Sequence, residues 1–159
     1  MTNAEEVKMM YDMNRFVQAQ QQSYANALAE IKNGMKRTHW MWYIFPQLKQ
    51  LGKSPTAKYY GIENIEEAKE YLSHPILGAR LREISEALLT LKTNNPDEVM
   101  GDIDTLKLCS SMTLFAEIEG DNSVFEQVIE KYYHGNKDKN TLYILEEEVT
   151  YTDTSNGYL

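Results

Sequence analysis

The sequence predicts an all-α protein, a single compact irregular bundle of about seven to nine helices. Three observations carry that expectation. Apolar residues recur at three- and four-residue spacing in successive segments, most of them bounded by a capping residue or by glycine, asparagine or proline. No pair of alternating apolar stretches offers a strand and its partner. The 159 residues suit one domain, in which roughly 68 to 70% of the unfolded surface would be buried, enough for a core without staples.

The first eleven residues, Met1 to Tyr11, lack a clear period and are expected to be a flexible lead; the domain proper should run over 12–148. Asp12 or Asn14 can cap a long helix marked on one side by Phe16, Ala19, Gln20, Ser23, Ala27 and Ile31, with Asn33-Gly34 as its stop. Thr38 is placed to cap the run that follows. Lys49 to Lys53 reads as a loop, and Ser54-Pro55 as the N-cap and first position of a short helix reaching Tyr60. Asn64 to Glu67 has capping-box spacing and opens a helix that buries Ile65, Ala68 and Leu72 and ends near Ser73-His74-Pro75.

Pro75 can open the next helix, whose period runs through Ile76, Leu77, Leu81, Ile84, Leu88 and Leu91 to Lys92. Asn95-Pro96-Asp97-Glu98 starts a turn of helix that stops at Gly101, and Asp102 or Asp104 caps another with Leu108, Met112 and Phe115 in line. Val124, Phe125, Val128, Ile129, Tyr132 and Tyr133 share a helix closed by His134 and Gly135. Asn140 caps the last one, from Thr141 to about Glu148, and Val149 to Leu159 is expected to be a loose tail.

The densest apolar run is His39-Trp40-Met41-Trp42-Tyr43-Ile44-Phe45-Pro46-Gln47. Read as a helix it has no polar face, and it is far shorter than the roughly 20 residues that cross a bilayer, so it belongs in the core. Its two indole N–H groups and its phenol still require partners. This run also lies in the only basic part of an acidic chain. From Ile31 to Ile62 there is no Asp or Glu, while Lys32, Lys36, Arg37, Lys49, Lys53 and Lys58 give a formal +6. Taken from the total of −8, that leaves −14 on the rest. The simplest expectation is that these cations pair with acidic helices; the sharper one is an anion site. The overall charge argues against nucleic acid and anionic membranes as partners. One cysteine, Cys109, and no apolar leader fit the cytoplasm.

A second unusual stretch is Lys107-Leu108-Cys109-Ser110-Ser111-Met112-Thr113-Leu114-Phe115. On a helix Lys107, Ser110 and Ser111 share a side, so an ammonium and two hydroxyls could hold an anion. The plainer reading is that both serines bond back to carbonyls or pack against a neighbour. No glycine-rich elbow flanks either of them, and phosphate-binding and dinucleotide fingerprints are absent. His39, His74 and His134 never come at metal-helix spacing, so neither a metal nor another cofactor is expected.

The strings Asn14-Arg15-Phe16-Val17-Gln18-Ala19-Gln20, His39-Trp40-Met41-Trp42, Ile44-Phe45-Pro46-Gln47, His74-Pro75-Ile76-Leu77-Gly78-Ala79-Arg80-Leu81-Arg82 and Ser110-Ser111-Met112-Thr113-Leu114-Phe115 resemble the domain of unknown function 1810 family. The resemblance spans Asn14 to about Leu145 and implies a compact helical protein without an established reaction. Cys109 stands where that family carries a basic or imidazole side chain. Some members bear a calpastatin label, but calpain inhibition needs disordered repeats, and this chain has none.

These readings converge on a small-molecule-binding domain whose pocket lies between the aromatic run and the Lys107 helix. Trp40 and Trp42 would supply stacking surface, His39 a proton, Arg37 and Lys107 anion contacts, and Ser110 and Ser111 hydrogen bonds. The ligand class is an anionic or nucleotide-like small molecule. The alternative is a protein-interaction or structural domain in which the same aromatics are core. No reaction and no protein partner is written in the residues.

Overall fold

The computed structural model describes the backbone of residues 11–157 and the side chains of residues 11–148. The expectation of a flexible start for Met1 to Met10 lies outside the described residues. Within them the chain forms α1 (Asn14–Lys32), α2 (Met41–Ile44), a 3-10 turn (Lys49–Leu51), α3 (Pro55–Tyr59), α4 (Ile65–Ser73), α5 (Leu77–Leu89), α6 (Pro96–Met100), α7 (Asp102–Glu119), α8 (Val124–Tyr133) and α9 (Lys139–Gly157). No strand is present among the described residues; two extended segments touch at one parallel bridge, Leu48 to Ile62. The fold is all-α.

The bundle is organised around α7. Every residue from Ser110 to Ala116 is buried, so this helix turns no face to water through its middle two turns. It packs on α8, α6, α4 and α9, while α5 lies between α8 and α1. A row of rings crosses the core between these elements: Phe16 meets Tyr71 edge-on at 5.0 Å, Tyr71 meets Phe115 at 5.6 Å, and Phe115 meets Phe125 at 5.8 Å. Such contacts add about 0.5 to 1.5 kcal/mol each beyond the area they bury.

Helix ends show where local chemistry decided and where it did not. Ser54 Oγ accepts from Ala57 N–H, and Asn95 Oδ1 from Asp97 N–H, each with proline in the first turn. Asn64 caps Glu67 N–H, but the reciprocal bond is shifted by one residue: Glu67 Oε1 accepts from Glu63 N–H, while the Arg15 guanidinium holds the other oxygen at 3.0 Å. Pro75 does not open α5. His74 does the capping instead, its Nδ1 accepting from Ile76 and Leu77 N–H, and the helix starts at Leu77. Neither Asp12 nor Asn14 caps α1, whose N-cap is Met13, and Gly101 precedes α7 in place of an aspartate cap. The backbone of α9 runs on to Gly157, past Glu148.

The segment after the aromatic run is clasped from two sides. Lys49 N–H donates to Ile62 O and Ile62 N–H to Gln47 O, both at 2.8 Å. At this crossing a Cβ on Gly61 would sit 2.4 Å from Lys49 Cα, so only glycine lets the two segments approach. Phe45, Pro46, Gln47 and Leu48 are thereby buried outside any helix, and of the run read above as a helix only Met41–Ile44 is helical.

Candidate functional site

The turn over residues 36–40 is shaped by one carboxylate. Glu30, in the last turns of α1 and only 7% exposed, accepts from Arg37 N–H (2.6 Å), Thr38 N–H (3.0 Å), Thr38 Oγ1 (2.6 Å), Trp40 Nε1–H (3.0 Å) and Asn26 Nδ2 (2.7 Å). Burial alone would raise its pKa; the donors from Thr38, Arg37 and Trp40 outweigh that and hold it at about 2. Thr38 therefore serves Glu30 and not the N-terminus of α2. Lys36 N–H donates to Val99 O at 2.7 Å, tying the same turn to α6.

This shaping leaves a cleft of about 350 Å³ between the turn, α3 and the first two turns of α7. It is lined by Lys36, His39, Trp40, Met41, Trp42 and Tyr43, by Ser54 and Thr56, and by Asp104 and Lys107. Asp104 Oδ2 is 3.0 Å from Lys36 Nζ and its Oδ1 is 3.2 Å from Lys107 Nζ, so one carboxylate bridges two ammonium groups. Each ammonium also lies over an indole face, Lys36 at 4.8 Å from the Trp40 ring centre and Lys107 at 4.2 Å from that of Trp42. Lys36 further donates to Thr38 O at 2.6 Å.

Four of the residues expected to meet a ligand thus share one cleft: His39, Trp40, Trp42 and Lys107. Their surroundings differ. His39 is exposed and Trp42 half-buried, whereas Trp40 is 2% exposed with its N–H committed to Glu30, so it builds a wall more than a stacking platform. The other three do not line it. Arg37 is exposed, and its backbone N–H serves Glu30. Ser110 is buried and bonds back to Leu106 O at 3.1 Å, and Ser111 is wholly buried with no hydrogen-bond partner for its hydroxyl. The reason is position along the helix: Asp104 and Lys107, three apart, face the cleft, and one turn further on, at Ser110 and Ser111, the helix has entered the core and is buried all round.

Two residues that line the cleft, Lys36 and Asp104, are not marked as site residues by the sequence alone. The three-residue spacing of Asp104 and Lys107 was a usable signal. Lys36 stood beside Arg37 in the basic segment, and nothing in their order tells which of the two turns inward.

The remaining chemistry is quiet. Among the described residues no three His, Cys, Asp or Glu side chains converge on a metal-sized space. Burial, and then the nearby Asp138 carboxylate, push the Cys109 thiol up to about 11. Its alkylation by iodoacetamide at pH 8 is expected to run about a hundredfold slower than in the urea-unfolded chain, because the thiolate fraction falls tenfold per unit. Equal rates would place the thiol in water. A cleft of about 330 Å³ around Arg15, Lys49, Lys58 and Tyr59 has Arg15 tied to Glu67 and to Tyr59 O and Gly61 O, and Lys49 within 3.4 Å of Glu63.

Fold and site together define a class: an all-α domain with a small cleft walled by indoles and lysines. Residues 10–145 match the family described as Protein of unknown function (DUF1810), and the chain belongs to that family. It is similar to the conserved hypothetical protein Rv1873 from Mycobacterium tuberculosis, known from a crystal structure, with 45% identity and a TM-score of 0.83 over 86% of this chain and 97% of that one. No curated protein matches it significantly in sequence. No helix among the described residues is long and apolar enough to cross a membrane.

Proposed function

We propose that this protein binds a small anionic molecule carrying a planar ring, nucleotide-like in chemistry, in the cleft between the 36–43 turn and α7. The observation that carries this reading is the meeting of Trp42 and Lys107, distant in sequence, with the ammonium 4.2 Å from the indole centre and His39 on the same cleft. An aromatic face beside a cation suits a ring joined to an anionic group. The volume of about 350 Å³ is near the lower end of ligand pockets, which run from roughly 300 to 1,000 Å³. It favours one ring with one head group over a dinucleotide.

A thermal-shift panel of mononucleotides and phosphorylated metabolites tests this. A ligand at 100 times its dissociation constant stabilises by about 2.7 kcal/mol, and Lys107→Met is expected to abolish that gain while unfolding close to the wild type. A panel that shifts neither protein would remove the reading. One observation favours a second reading, an interaction module: Ile103 (69% exposed) and Leu106 (71%) lie on α7 beside the cleft-lining residues. A flat panel together with self-association or partner capture lost in Ile103→Ser would support it.

A further inference from the structure

The two ammonium groups of the cleft are not equivalent. Lys36 has three donors and spends them on Thr38 O at 2.6 Å, Asp104 Oδ2 at 3.0 Å and the Trp40 face, with its side chain 8% exposed. Lys107 meets Asp104 Oδ1 at 3.2 Å and the Trp42 face, and its side chain is 24% exposed. Asp104 stands between them in the first turn of an 18-residue helix, where the dipole favours negative charge. An incoming anion therefore finds a carboxylate already at the lysines.

We propose that Asp104 is a built-in competitor that makes the cleft select dianionic phosphate monoesters over singly charged anions. This rests on the reading of the cleft as an anion site. A monoanion that displaces the carboxylate leaves the two ammonium groups with the same counter-charge as before. It must also beat a tethered group present at an effective concentration on the order of millimolar or more. A dianion making the same exchange neutralises both ammonium groups and lets Asp104 turn to water.

The chain has two tryptophans, Trp40 and Trp42, and both line this cleft, so tryptophan emission reports on it alone. Phenyl phosphate and benzenesulfonate share a ring and a tetrahedral head and differ in charge at a pH well above the phosphate's second pKa of about 6. Wild-type protein is expected to bind phenyl phosphate about tenfold or more tighter than the sulfonate. Asp104→Asn should admit the sulfonate and erase most of that preference, and Lys107→Met should lose both. If the wild type binds phenyl phosphate and Asp104→Asn keeps the same preference, the competitor role is overturned while the anion site stands. If neither compound alters emission in any of the three proteins, both fall. Should Asp104→Asn fail to fold by circular dichroism, the wild-type ratio decides alone, and a ratio near one overturns the inference.

Discussion

Glu30→Gln is expected to destabilise the protein by about 3 kcal/mol at pH 7, because several donors that now meet a carboxylate would meet an amide with one acceptor oxygen. The backbone N–H groups of Arg37 and Thr38 and the Trp40 N–H all share Oε1, so the new NH2 falls at the Oε2 position, where the Asn26 amide would face another donor and the Thr38 hydroxyl would have to turn round. The effect has a pH signature with a definite sign. Glu30 titrates at about 2 in the folded protein against 4.5 for an ordinary glutamate. The unfolded chain therefore takes up the proton first as acid is added. The stabilisation from Glu30 is complete above pH 4.5 and is lost as pH falls from 4.5 toward 2. Urea unfolding of both proteins should show a gap of about 3 kcal/mol at pH 7 that narrows to about 1 kcal/mol at pH 3, at 1.36 kcal/mol per unit. An equal gap at the two pH values would mean that Glu30 is held by packing and not by its charge. Since the same donors define the turn, the variant should also lose ligand-induced stabilisation.

Gly78→Ala should lower the unfolding midpoint by about 6 °C. Helix propensity alone predicts the opposite, a gain of about 1 kcal/mol for replacing glycine within α5. Tertiary contact reverses the sign. A Cβ on Gly78 would lie 2.0 Å from Leu72 O and 2.8 Å from Leu72 C, both backbone atoms of α4's last turn. Neither can move without opening the α4–α5 corner, where Arg82 also donates to Leu72 O and reaches Glu119 of α7. Overpacking against backbone is expected to cost about 3 kcal/mol, and for a chain of this length each kcal/mol shifts the midpoint by about 2 to 4 °C. An unchanged midpoint in calorimetry would show that the corner yields.

Much of the fold was legible because its signals are local. Ser54-Pro55, Asn64 and Asn95-Pro96 each declare a helix start through a side chain that reaches only two or three residues ahead. His74 escapes such a reading for the converse reason: imidazole is a rare cap, and Pro75 beside it is a stronger but misleading cue. The candidate site was legible in its ingredients, the indoles, His39 and Lys107, and illegible in its wiring. Ser110 and Ser111 look like Lys107's companions on a helical wheel, yet burial of α7 all round puts them in the core. No periodicity marks Glu30 as the acid that receives the turn, since an acid near the end of an amphipathic helix is most often solvated.

Residue by residue, the chain determined an all-helical architecture, the stops at Gly34, Gly61 and Gly101, and a basic aromatic segment within an acidic protein. Those properties follow from spacing, capping and charge, each of which acts within a few residues. Only the tertiary structure decided that Lys36 and not Arg37 turns inward, that Asp104 bridges it to Lys107, and that Trp40 is anchored while Trp42 borders open space. These outcomes depend on which elements meet, because a side chain's direction in an irregular turn is set by the partners that satisfy its hydrogen bonds, and for Lys36 those partners, Val99 and Asp104, lie tens of residues away.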